Sequence, residues 1–336
     1  MTTKKYRAAV IGTGRIGMLL ESDPKRIKPA THFGLWSSHP RTELVAVCDN
    51  DQKKFKIAKT MKLDVQTYTD PEELLKEIKP DIVSISTWKD THYQMMKLAL
   101  RHKVPAIVLE KPIAEKLEHA REIVEEAKRN GTHLFINHRR RFDPLVYEMV
   151  DEINKGIIGE ILQASIFYVF GLITTGTHLI DVLRLFLGEI KWVAAFPNIK
   201  EHFAPTDDPC VDAFIGFESG IKASFQSLDM KDYDIFQIDF YGRKGKISFK
   251  NIGRDFEIIR PKISPEHTGF IELNDDEIEC RGGAPRNQFM FLGDNVIDCL
   301  EGRATSLSTG EDSLRALEIL LAMQKSVELG NKVVFV

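Results

Sequence analysis

Tyr6-Arg7-Ala8-Ala9-Val10-Ile11-Gly12-Thr13-Gly14-Arg15-Ile16-Gly17 joins an apolar run to a glycine-patterned turn. The run suits a buried parallel strand, and Gly12 lets the chain turn tightly after it. Gly14 allows the backbone to approach a pyrophosphate, and Gly17 allows a following helix to pack closely. The N-terminus of such a helix favours the phosphate charge. Thr13, Arg15 and Ile16 stand between the glycines and are predicted to share the dinucleotide contact. The plainer alternative is a glycine-rich turn with no ligand; the strand-turn-helix context favours a dinucleotide.

Downstream, short apolar runs alternate with amphipathic segments as far as Asn137. Residues 43–48, 81–86, 106–109 and 133–136 read as strands, and 71–78, 91–102 and 114–129 as helices, the first with Asp70 as N-cap and Pro71 at its first position. Such alternation implies a doubly wound parallel sheet, whose ligands lie beyond the carboxyl ends of the strands. After Pro144 the pattern changes. Helices are expected at 145–155 and 177–187, and most of 161–259 reads as strand, with hairpin turns at Glu218-Ser219-Gly220 and Gly242-Arg243-Lys244-Gly245. Helices at 287–300 and 311–329 and a strand at 332–336 close the chain. The fold class is α/β: a Rossmann dinucleotide-binding domain over 1–137, then an α/β domain over 138–336 with a large, mostly antiparallel open sheet, one face of which is left for a helix or another subunit.

Length favours two cores over one in a chain of 336 residues. A formal net charge of -3 gives no field to attract nucleic acid or an anionic membrane. Small molecules are the expected partners. Cys48, Cys210, Cys280 and Cys299 lack metal-ligand spacing and the density of a secreted scaffold, so reduced thiols and no metal are expected. The N-terminal residues include no apolar signal core, and the apolar stretch 161–173 is too short and too polar to span a bilayer. The expected location is the cytoplasm.

Asp49 ends the second strand, where a carboxylate accepts hydrogen bonds from ribose hydroxyls and repels a 2′-phosphate, favouring NAD over NADP. Its distance from Gly17 exceeds the usual interval of about 20 residues, because residues 21–31 form an insertion. A strand-ending turn aspartate is the alternative, and Lys53 and Lys54 leave dual cofactor use open. Glu110-Lys111-Pro112 follows the strand at 106–109. A solvated Glu-Lys pair is the ordinary reading, but at the edge of a cofactor cleft the Lys111 ammonium can stabilise a developing alkoxide. His178, in Gly176-Thr177-His178-Leu179-Ile180-Asp181, suits proton transfer; a helix-entry histidine is the alternative. Asp181 shares its helical face, either orienting the imidazole or belonging to the helix turn. Thr87, Trp88 and His92 are placed at the cofactor, with packing equally open for His92. Arg139, Arg140 and Arg141 read mainly as interdomain and surface contacts, with a charged substrate as the second possibility.

Together these motifs, with Asn137–Pro144 and Ile158-Gly159-Glu160, resemble the Gfo/Idh/MocA family of sugar and cyclitol oxidoreductases over almost the whole chain. The resemblance implies a pyridine nucleotide, a Lys111 that contacts substrate and nicotinamide, an acid-base role for His178, and assembly into dimers or tetramers on the open sheet. Many members carry an aspartate four residues before the histidine; here that position is Thr174, which can hydrogen-bond a hydroxyl but brings no charge. The expected activity is hydride transfer between NAD and a secondary alcohol or ketone of a sugar or nucleotide sugar, with Lys111, His178 and Thr174 at the reacting group. An inositol or small polyol dehydrogenase and a non-catalytic dinucleotide-dependent regulator are the alternatives.

Overall fold

A computed structural model of the chain describes residues 4–56, 65–198 and 208–336. They form two compact units, Met1–Asp143 with Arg286–Arg315 and Pro144–Pro285 with Ala316–Val336. A single boundary after residue 137 does not anticipate the return of 286–315 to the first unit.

In the first unit, β1 (Tyr6–Ile11), β2 (Thr42–Cys48), β3 (Gln66–Tyr68), β4 (Ile82–Ile85), β5 (Ala106–Leu109) and β6 (His133–Ile136) make a sheet of order β3-β2-β1-β4-β5-β6. All its pairings are parallel. The buried runs Ile82-Val83 and Ala106-Ile107-Val108-Leu109 suit strands covered on both faces. The covering helices include α1 (His32–Ser38), α2 (Pro71–Ile78), α3 (His92–Arg101) and α4 (Leu117–Asn130). Asp70 caps α2 as its sequence predicts, accepting from Glu72 N–H. In α1, Trp36 is fully buried and donates its indole N–H to Ser84 Oγ at 2.7 Å.

The stretch after Gly17 departs from expectation: no α-helix opens there. Met18 and Leu19 both donate to Gly14 O and Leu20 donates to Arg15 O, a single wide turn that tightens into a 3₁₀ segment, Leu19–Ser22. Asp23 is then extended, at φ −72° and ψ 114°, as Pro24 requires of the residue before it. Regular helix begins only at His32, beyond Pro29, so a single turn rather than a full helix dipole stands behind the glycines.

The second unit opens with α5 (Pro144–Asn154) and β7 (Ile161–Tyr168), followed by α6 (Thr177–Leu187) and β8 (Ile190–Pro197). Its remaining strands are β9 (Val211–Phe217), β10 (Lys222–Ser227), β11 (Phe236–Gly242), β12 (Gly245–Lys250), β13 (Asp255–Ile263), β14 (Ile271–Arg281) and β15 (Val334–Phe335). Two closing helices, α7 (Gln288–Leu300) and α8 (Gly310–Glu328), lie between β14 and β15 in the chain. The sheet runs β14-β13-β12-β11-β7-β10-β9-β8-β15, antiparallel except where β7 meets β10. Both predicted hairpins form, β9 with β10 and β11 with β12. One core joins Leu145 and Met149 of α5, Leu179 and Leu183 of α6, and Ala316, Leu320 and Met323 of α8 to the inward residues Ile166, Ile215, Phe225 and Phe240. Other apolar side chains on the strands, Leu162, Phe214 and Tyr241, remain exposed.

Candidate active site

The carboxyl ends of the first unit's strands set the geometry. Each ladder continues one residue past its strand: Gly12 N–H donates to Cys48 O, Ser86 to Ile11 O, Glu110 to Ile85 O and Asn137 to Leu109 O. Gly12, Asp49, Ser86, Glu110 and Asn137 are therefore fixed along one edge. Gly12 has φ +92°, and a Cβ there would lie 2.7 Å from the Ser86 carbonyl. A Cβ at Gly17 would lie 2.0 Å from Gly12 O, so that glycine seats the turn on its own entry strand. At Gly14 an added Cβ meets nothing within 4 Å: the backbone there faces open space, the cradle a pyrophosphate needs. The residues present fit a dinucleotide. Arg15 is exposed and Ile16 half-buried beside this opening.

Asp49 is buried, and Oδ2 accepts from Thr13 N–H at 2.8 Å and Thr13 Oγ1 at 2.9 Å, while Oδ1 accepts from Asp51 N–H. Lys54 Nζ reaches both oxygens, at 3.0 and 3.1 Å. Burial alone would raise this carboxyl, but the bonds from Asp51, Lys54 and Thr13 outweigh it and hold the group below its ordinary range. Thr13 thus ties the glycine turn to the Asp49 carboxylate.

Glu110 is buried, with Oε1 receiving Asn137 Nδ2 at 2.6 Å and His32 Nε2 at 2.9 Å. Burial opposes ionisation, yet the His32 and Asn137 hydrogen bonds and the charge of Lys111 hold its pKa down at about 2. Lys111 follows, half-buried. His92 is buried: Nδ1 donates to Pro112 O at 2.7 Å, and Nε2 lies 3.2 Å from Thr87 O. It ties the segment carrying Thr87 to the one carrying Lys111. Thr87 Oγ1 accepts from Thr91 Oγ1 at 2.8 Å, and Trp88 is 83% exposed.

The three arginines are not a surface cluster. Arg140 and Arg141 are buried in a 3₁₀ turn, and Arg141 pairs with Asp312 at 3.2 Å inside the first unit. Burial corrects the surface reading for these two.

In the second unit, a π-helical turn, Leu172–Gly176, carries Thr174 into α6, which carries His178 one helical turn later. Thr174 and His178 are half-buried and Asp181 is fully buried. Asp208 organises this turn: Oδ1 accepts from Ile173 N–H at 2.6 Å and Oδ2 from Thr174 N–H at 2.7 Å. A Cβ at Gly171, where φ is +95°, would lie 2.4 Å from Asp208 Oδ2. Sequence reasoning missed Asp208, His32 and Ser86. A Thr-Asp-Asp-Pro run reads as a turn, and nothing in its spacing points back to residue 174.

Residues 6–138 match the oxidoreductase family with an NAD-binding Rossmann fold, Gfo/Idh/MocA. Residues 169–335 match the same oxidoreductase family's C-terminal alpha/beta domain. The D-glucoside 3-dehydrogenase of Escherichia coli K12 is 22% identical, over 99% of this chain and 98% of that protein. The WlbA dehydrogenase of Bordetella pertussis, solved with NADH and UDP-GlcNAcA, superposes with TM-score 0.77 at 18% identity over 99% of each chain. The aldose-aldose oxidoreductase of Caulobacter crescentus, complexed with glycerol, gives TM-score 0.79 at 17% identity over 99% of this chain and 100% of that one.

Proposed function

The chain belongs to the Gfo/Idh/MocA oxidoreductase family, and from that premise we propose that it interconverts a secondary alcohol and a ketone on a sugar or nucleotide sugar, using NAD. The observation that carries this reading is the buried Glu110 side chain, held by His32 and Asn137 at the carboxyl edge of the sheet, with Lys111 directly after it. When bound, the nicotinamide supplies a two-electron hydride acceptor or donor. Lys111 donates a hydrogen bond to the reacting oxygen, stabilising alkoxide character during oxidation and polarising the carbonyl during reduction. His178 takes the hydroxyl proton in the first direction and returns it in the second. Thr174 assists as a neutral hydrogen-bonding partner. Gly12, Thr13, Gly14, Arg15 and Ile16 receive the pyrophosphate side of the cofactor, Asp49 its adenine ribose, and Thr87, Trp88, Glu110 and Lys111 its nicotinamide side.

The sugar class is supported by the glucoside dehydrogenase and by the nucleotide sugar named with the WlbA structure. Thr174 in place of an aspartate weighs against an inositol substrate. The exposed Phe214, Tyr241 and Leu162 of the second sheet support a homodimer or homotetramer built on that face. Unpaired cysteines, three of them buried, accord with a cytoplasmic location.

Lys111→Ala and His178→Ala test the reading against aldoses, methyl glucosides, UDP-sugars and myo-inositol. Both variants are expected to keep NADH binding, read by fluorescence, while kcat falls at least about a hundredfold. Full turnover by either variant overturns its assigned role, and NADH binding without turnover on any panel member favours a regulator.

A further inference from the structure

His32 is fully buried, and Nε2 lies 2.9 Å from Glu110 Oε1. Its Nδ1 makes no hydrogen bond among the described residues, and its ring stands edge-on to Phe289 at 5.3 Å. An apolar side chain of similar shape would fill this space without leaving a buried nitrogen unbonded, so packing gives no reason for an imidazole here. The reason lies in Glu110, a buried carboxylate that needs donors and among the described residues receives His32 and Asn137, both on Oε1.

The backbone around His32 is equally held. His32 N–H donates to Ile16 O at 3.2 Å and Phe33 N–H to Gly17 O at 2.9 Å, which seats the residue on the glycine turn. Thr31 caps α1 by accepting from Gly34 N–H, and its hydroxyl donates to Glu21 Oε2 at 2.7 Å. Ala30 N–H donates to the same oxygen at 2.9 Å. Glu21 thus closes the insertion over 21–31 on itself and presents His32 in one orientation. We propose that His32 is a positioning residue for Lys111: through Glu110 Oε1 it fixes the residue that immediately precedes the lysine and links the glycine turn to the lysine's placement. This deepens the reading of Lys111 as the polarising group and rests on it for its catalytic meaning.

The test reads Lys111 without any substrate. Apo protein at one fixed pH is labelled with trace acetic anhydride, and acetylation of Lys111 is measured by mass spectrometry against the exposed Lys79 and Lys191. In His32→Leu and in Glu110→Gln, Lys111 acetylation is expected to rise about three- to tenfold, as expected when a lysine loses a fixed carboxylate neighbour. The double variant should match the singles, and His32→Gln, which keeps an N–H donor, should stay within about twofold of the parent. If His32→Leu does not fold, His32→Asn replaces it, since its shorter amide falls short of Glu110. Unchanged Lys111 labelling in the donor-free variant overturns the proposal, as does a parallel rise at Lys79 and Lys191. Equal disturbance by His32→Gln overturns it too. Full sugar oxidation by Lys111→Ala would instead remove the catalytic reading and leave the labelling result standing.

Discussion

Asp208 Oδ2 accepts a hydrogen bond from the Thr174 backbone N–H at 2.7 Å, and its other oxygen accepts from Ile173 N–H at 2.6 Å. A carboxylate absent from the turn itself is thus supplied by a residue 34 positions later. It acts on the backbone, where it sets the pitch of the turn leading into α6 and hence the placement of Thr174 and His178.

Removing that clamp should loosen the turn before it unfolds the unit. Asp208→Ala leaves two N–H groups without their acceptor and is expected to cost about 2–4 kcal/mol, read by chemical denaturation. Asp208→Asn retains one acceptor oxygen and should recover about half of the loss. Gly171→Ala should be at least as damaging, because its Cβ would lie 2.4 Å from the carboxylate at a φ of +95°. Parent-like stability of Gly171→Ala would contradict this account.

The proposed cofactor choice turns on Lys54. Its ammonium bridges both Asp49 oxygens, which already accept from Thr13 and Asp51, so in the proposed NAD complex ribose hydroxyls compete with a lysine for the carboxylate. The same lysine, swung away, can meet a 2′-phosphate. Lys54→Ala is therefore expected to raise the NADH over NADPH preference about fivefold, the equivalent of one partly exposed charge contact near 1 kcal/mol. Asp49→Ser should shift the preference the other way. Fluorescence titration with the two nucleotides gives the ratio, and an unchanged ratio in both variants would remove Lys54 and Asp49 from cofactor selection.

Local rules carried far in this sequence, and their failures share a cause. Strands at 106–109 and 133–136 and helices at 71–78 and 177–187 fall where periodicity and capping residues put them, because each depends on neighbours within a few positions. The helix expected after Gly17 fails because two prolines and a closed insertion override the glycine pattern. The short β3 carries little apolar signal, being paired only through its backbone to β2. Asp49, Glu110 and Lys111 were legible by their place after strands. Their partners were not: His32 lies 78 residues from Glu110 and Asp208 lies 34 from Thr174, and no periodicity spans such gaps.

Glu110 gives the acid response of the first unit a defined sign. Its pKa is held at about 2 against an ordinary 4.5, so the folded state binds its proton less readily than the unfolded chain. A carboxyl lowered on folding contributes stability that is fully present above about 4.5 and is lost as pH falls toward 2. The displacement corresponds to about 3 kcal/mol at neutral pH, set chiefly by the His32 and Asn137 bonds working against burial. Glu110→Gln cannot titrate, so the stability gap between parent and variant should be flat from pH 7 to 5 and narrow steadily between 4.5 and 3. Denaturation midpoints for the two proteins across that range give the gap directly. A gap that stays constant down to pH 3 would mean that Glu110 is no better held in the folded protein than in the unfolded chain. The buried His32 and Asn137 donors would then have no electrostatic work to do.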